Sequence, residues 1–127
     1  MIHLTKERDS LGIVSDQIGT PTYARDLAET ILFIINSGNF LPGIYHYSNE
    51  GTASWHDFAK AIVEIAGIQC DIYPIKTSQY PTPAKRPQYS LLNRAKIKSV
   101  YNIDILDWKK SLEFCIKIIS SQQDSAS

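Results

Sequence analysis

Two places in the chain carry side chains suited to holding a ligand. Arg86, with Lys85 beside it, ends the stretch Thr77 to Pro87, which contains three prolines. A guanidinium presents planar, forked N–H donors that match a phosphate or carboxylate, and an adjacent ammonium adds charge. The competing role for Arg86 is that of a solvated loop arginine. Asp16, Gln17, Thr20 and Thr22 form the second group, on a turn shaped by Gly19 and Pro21. Short polar side chains on a tight loop beside a helix start read hydroxyl groups by hydrogen bonds. Thr22 has a rival task, capping the helix that follows.

Other chemistries are disfavoured. His3, His46 and His56 show no HxH, HxxxH or HExxH spacing, and Cys70 and Cys115 are far apart with no CxxC, so no metal site is expected. The two thiols are expected to be buried and free. Glu50 and Asp57 are carboxylates with nothing to place them across a scissile bond. Trp55 and Trp108 each begin an apolar helix face, which predicts core packing rather than stacking on a ligand ring.

Elements must position these groups. Residues 1–10 are polar and aperiodic, and Leu11 to Val14 reads as a short strand running into the Ser15 to Thr22 loop. Tyr23, Leu27, Ile31 and Ile34 or Ile35 recur at helical spacing, predicting a helix over 23–37 with Gly38 as a left-handed stop. Ile44 to Tyr47 is aromatic and β-branched and reads as a strand from which His46 points outward. Ser54 and Asp57 resemble a capping box opening a helix that Gly67 closes, with His56 facing solvent in its first turn. Asp71 to Ile75 fits an edge strand that tolerates Pro74. The proline-rich stretch then reads as a long exposed or ligand-covering loop. Tyr89 to Leu92 is a brief extended piece, Asn93 a cap for a short helix over 94–100, and 104–120 a final amphipathic helix.

At 127 residues the length suits one domain over 1–122 with a disordered tail at 123–127. Apolar residues make up 43% and charged residues 20%, the balance of a globular chain rather than a disordered one. Thirteen basic residues cancel thirteen acidic ones, which removes the field that would concentrate nucleic acid or an anionic membrane. No apolar run approaches the ~20 residues of a membrane-spanning helix and the N-terminus lacks a secretory signal, so a cytoplasmic setting is expected.

Five ordered blocks resemble the dTDP-4-dehydrorhamnose reductases of the extended short-chain dehydrogenase/reductase superfamily. They are Val14 to Ala28 (VSDQIGTPTYARDLA), Gly43 to Gly51 (GIYHYSNEG), Ser54 to Ala59 (SWHDFA), Arg86 to Asn93 (RPQYSLLN) and Asp107 to Leu112 (DWKKSL). The resemblance covers nearly the whole chain. It implies an α/β protein, locally an α+β-like fragment: a small helical C-terminal domain with short strands that normally packs on a Rossmann-type cofactor domain. It implies reduction of a 4-keto sugar on dTDP, dTDP-4-dehydro-6-deoxy-L-mannose going to dTDP-L-rhamnose. NADPH or NADH would be the hydride donor, and a magnesium requirement is left open. Arg86 and Lys85 would then meet the diphosphate, and Asp16, Gln17, Thr20 and Thr22 the sugar or base.

The family's catalytic parts have no counterpart here. None of the six glycines forms the turn that holds a cofactor pyrophosphate, and no tyrosine has a lysine four positions later. The expectation is a segment with no catalytic or cofactor-binding residues of its own, silent until joined to an N-terminal cofactor domain, which leaves open whether Met1 is the native first residue. Such a fragment should keep an apolar patch around Tyr23, Ile31 and Phe33, prone to self-association into a homo-oligomer. The alternatives are the equivalent half of another nucleotide-sugar epimerase or dehydratase, or a stand-alone binding module whose faces close on themselves.

Overall fold

The computed structural model describes residues 1–124. Five helices and four short strands alternate along it: α1 (Ile2–Lys6), β1 (Ser10–Val14), β2 (Ile18–Gly19), α2 (Ala24–Asn36), β3 (Ala53–Ser54), α3 (Trp55–Ala66), β4 (Asp71–Ile75), α4 (Ala95–Tyr101) and α5 (Trp108–Asp124). The strands make two separate pairs. β1 runs parallel to β4, with Ser10 opposite Asp71 and Val14 opposite Ile75, while β2 pairs antiparallel with β3.

Helix α3 is the hub, packed against α5, α1, β1, β3 and β4. Its limits follow from local chemistry. The Ser54 hydroxyl accepts the Asp57 N–H at 3.0 Å and the Asp57 carboxylate accepts the Ser54 N–H at 2.9 Å, a reciprocal box that satisfies donors the first turn leaves free. Gly67 ends the helix at φ 64°, where a side chain would be strained. The inner face of α3 meets α5 through Ala61, Ile62, Trp108, Leu112 and Ile116, with Phe58 edge-on to Trp108 at 6.0 Å. Burying such side chains contributes about 1.5–3 kcal/mol each.

Several expectations need correction. Residues 2–6 are helical rather than irregular: the Thr5 N–H donates to the Met1 carbonyl at 3.1 Å and the Thr5 side chain is buried. Ile44 to Tyr47 is no strand: among the described residues it has no ladder partner, and Ile44 is 78% exposed. Helix α5 starts at Trp108 rather than Asp104, because Asp107 bridges to Glu50 and accepts the Lys109 N–H. It continues to Asp124, and residues 125–127 of the expected tail lie outside the described residues. The short helix α4 lies one residue later than expected, with the Asn93 side chain accepting the Ala95 N–H at 2.9 Å.

The aromatic and histidine readings also divide. Trp108 is in the core at 4% exposure, but Trp55 is 55% exposed, since its place at the first position of α3 turns it away from α5. His56 does not face solvent: its ring reaches the Ile72 carbonyl of β4 at 3.3 Å. His46 is exposed. Cys70 and Cys115 are free and half-buried. No described helix is long and apolar enough to cross a membrane.

Candidate functional site

The loop between β1 and α2 is built as a fastening. Both oxygens of the Asp16 carboxylate accept the Thr77 N–H, at 2.9 and 3.2 Å, and one also accepts the Thr77 hydroxyl at 2.6 Å. Gln17 donates its side-chain amide to the same hydroxyl at 3.1 Å. These hydrogen bonds, the Thr77 hydroxyl first, hold the Asp16 carboxyl below its ordinary pKa. Ile18 then pairs with the far end of the proline-rich loop, its N–H donating to Gln88 and its carbonyl accepting from Ser90. Thr20 donates to the Gly51 carbonyl at 2.9 Å.

Beneath this loop lies a buried polar knot centred on Asn49. Its side-chain oxygen accepts the Tyr23 N–H at 2.8 Å, and its amide donates to Asp26, Ser111 and the Leu106 carbonyl. Arg94 donates to the Asn49 carbonyl at 2.6 Å and pairs with Glu50 at 3.0 Å. The Lys98 ammonium, bonded to Glu50, and the Arg94 charge hold the Glu50 carboxyl below its usual range. Gly51 completes the joint at φ 86°; a Cβ there would meet an Asp107 carboxylate oxygen at 2.7 Å.

Between the loop and the exposed end of α3 is a cleft of about 300 Å³. Gln17, Thr20, Trp55, Phe58, Arg86 and Ser90 line it, and a second lobe of about 610 Å³, reached past Trp55, Phe58 and Arg86, adds Leu11, Val14 and Tyr80. Of the residues expected to bind ligand, Arg86, Gln17 and Thr20 are therefore brought together. Asp16, Thr22 and Lys85 do not line the cleft. Thr22 is not the helix cap either: its hydroxyl donates to the Thr20 carbonyl at 3.4 Å, and the Tyr23 N–H is taken by Asn49.

Trp55 and Tyr80 are the cleft residues that sequence reasoning passed over. For Trp55 a signal existed. It occupies the first helical position after the Ser54 cap, and that position faces the helix entry rather than the seam shared by Ala61, Ile62 and the core. The cleft offers one exposed guanidinium, neutral hydrogen-bonding groups and two exposed aromatic rings. That set accommodates an anion joined to a flat or polar ring system.

The turn after β1 does not fit a dinucleotide pyrophosphate. The turn after β1 is Ser15, Asp16 and Gln17, which places a carboxylate where a pyrophosphate would need backbone donors. Among the described residues no group of His, Cys, Asp or Glu converges to hold a metal ion.

Comparison with known proteins places this arrangement in context. The sequence profile described as RmlD substrate binding domain matches residues 1–121. The dTDP-4-dehydrorhamnose reductase of Burkholderia thailandensis is 37% identical over 96% of this chain and 46% of its own length. The spore coat polysaccharide biosynthesis protein SpsK of Bacillus subtilis is 38% identical over 98% of this chain and 42% of its own. Among solved structures, a dTDP-4-dehydrorhamnose reductase from Clostridium acetobutylicum superposes with a TM-score of 0.88 at 38% identity, covering 94% of this chain and 42% of that one. The Bacillus anthracis reductase, solved in complex with NADP, gives 0.81 at 37% identity over 88% and 38%. The chain spans less than half the length of each of these relatives.

Proposed function

This chain belongs to the RmlD substrate binding domain family, and from that premise we propose that it is the dTDP-sugar-binding part of a dTDP-4-dehydrorhamnose reductase. The complete enzyme would convert dTDP-4-dehydro-6-deoxy-L-mannose to dTDP-L-rhamnose with NADPH or NADH. The observation that carries the reading is the cleft itself, in which Arg86 shares a wall with Trp55, Thr20 and Gln17. Arg86 supplies forked donors to the diphosphate, and the exposed Trp55 ring offers a surface for the base or sugar. Thr20 and Gln17 add hydrogen bonds to hydroxyl groups.

The part played by this chain is binding and orientation. Holding a sugar donor in reactive geometry lowers the barrier for chemistry performed elsewhere. Hydride and proton transfer belong, in this reading, to an N-terminal cofactor domain.

The face for that domain is α2 with the segment Ile44 to Tyr47 beside it. Leu27, Ile31, Leu32, Phe33 and Ile35 leave α2 largely exposed, and Thr30 is the buried residue within the helix. Ile44 to Tyr47 has no ladder partner among the described residues. An exposed apolar helix face is what an additional layer would cover. The same features count against a stand-alone module whose faces close on themselves.

Calorimetry with dTDP on the wild-type chain and on Arg86→Ala tests the assignment. Heat from the wild type and its loss in the variant is the expected result; equal heats remove Arg86 from the site, and NADPH oxidation by this chain alone overturns the division of labour.

A further inference from the structure

The loop that carries Arg86 is held at both ends by three consecutive residues, Asp16 and Gln17 of the turn after β1 and Ile18 at the start of β2. Asp16 and Gln17 take Thr77 at its start, and Ile18 takes Gln88 and Ser90 at its end. Between these points residues 80–87 are exposed, and among the described residues 81–87 make no hydrogen bond to the body; the Thr82 hydroxyl donates within the loop to Ala84. The loop is thus a strap closed at its base. Where Arg86 and Tyr80 sit along the cleft depends on the strap's anchors.

Asp16 is placed as an anchor rather than as a ligand contact. Its carboxylate accepts three hydrogen bonds from Thr77 and does not line the cleft. Turned inward, it would set a negative charge against an anionic ligand and weaken the attraction to Arg86. We propose that Asp16 is a positioning residue: by clasping Thr77 it fixes the strap so that Arg86 faces the cleft, and it acts on ligand only through that strap. The inference deepens the dTDP-binding reading above and rests on it.

The test uses the full chain and dTDP as probe, with Asp16→Ala, Thr77→Val, the double variant and Thr77→Ser. Because Thr77 does not line the cleft, a clasp predicts that Thr77→Val weakens binding as much as Asp16→Ala, each by about tenfold. The double variant should be no worse than either single one, and Thr77→Ser should restore affinity. Independently of ligand, trypsin should cut after Lys85 severalfold faster in the two clasp-breaking variants and at the wild-type rate in Thr77→Ser. Weakened binding in Asp16→Ala with wild-type affinity in Thr77→Val would show direct contact and overturn the proposal. Should the wild type take up no dTDP, the ligand reading fails by itself. The clasp is then decided by cleavage, and unchanged rates overturn it. If either clasp-breaking variant is unfolded by circular dichroism, Asp16→Glu, which moves the carboxylate by one methylene, takes its place with the same expected outcomes.

Discussion

The fully buried side chain of Asn49 accepts the backbone N–H of Tyr23 at 2.8 Å, so the entrance to α2 is capped by a residue far along the chain. The same amide donates to Asp26 in the first turn of α2 and to Ser111 in α5. One side chain thereby ties two helix starts to the loop that leads to the cleft.

Replacing Asn49 with alanine leaves the Tyr23 N–H uncapped and removes a donor from the Asp26 carboxylate and the Ser111 hydroxyl in a buried setting. A loss of about 2–4 kcal/mol is expected from the combined cap and unsatisfied groups. Urea unfolding followed by circular dichroism measures it; a change below about 0.5 kcal/mol, the range of an ordinary surface substitution, contradicts the role given to the knot.

The two tryptophans should part company. Trp108→Ala opens the seam between α3 and α5 and should cost about 3–5 kcal/mol. Trp55→Ala should change stability by less than about 1 kcal/mol, since the ring is mostly exposed, yet weaken dTDP binding. Thermal unfolding and calorimetry on both variants separate the effects, and a Trp55→Ala variant with wild-type dTDP affinity takes that ring out of the site.

The bare face of α2 predicts concentration-dependent self-association of this chain. Sedimentation velocity should show it, and Leu32→Glu with Ile35→Lys should reduce it without lowering the unfolding temperature, because both side chains are more than half exposed. A chain that stays monomeric at high concentration counts against this face as a docking surface.

Acid should loosen the joint at Glu50. Its carboxyl is held below the ordinary value of 4.5, mainly by the hydrogen bond from Lys98, so the folded chain binds fewer protons there than the unfolded one. That contribution to stability is complete above about pH 4.5 and is lost as pH falls through the lower folded value. Glu50→Gln should therefore be less stable than wild type near neutral pH, with a smaller gap at about pH 3. Urea midpoints at both pH values decide the matter; an equal gap at both would assign the loss to packing.

Much of this protein was legible in its residues because the signals were local. Ser54, Asp57 and Gly67 mark the ends of α3 through hydrogen bonds and a backbone conformation that span a few positions. The spacing of Trp108, Leu112 and Ile116 reveals a face whatever it packs against, and the ordered blocks point to the family over nearly the whole chain. Arg86 stood out as a candidate because a cation at the end of a proline-rich loop is conspicuous in itself, and it lines the cleft.

What depended on distant partners was decided only by the tertiary structure. Ile44 to Tyr47 has strand chemistry, but a strand exists only when another offers its ladder, and none does so here among the described residues. Asp16 and Thr22 have the side chains of ligand contacts. The fold joins the first to Thr77 and leaves the second outside the cleft. Trp55 looked like core until the packing of α3 on α5 set which way the first residue of the helix points. Residue type specifies which bonds a side chain is able to make; which of them it does make is set by what folding brings within reach, and for Asp16 that is a threonine sixty-one positions away.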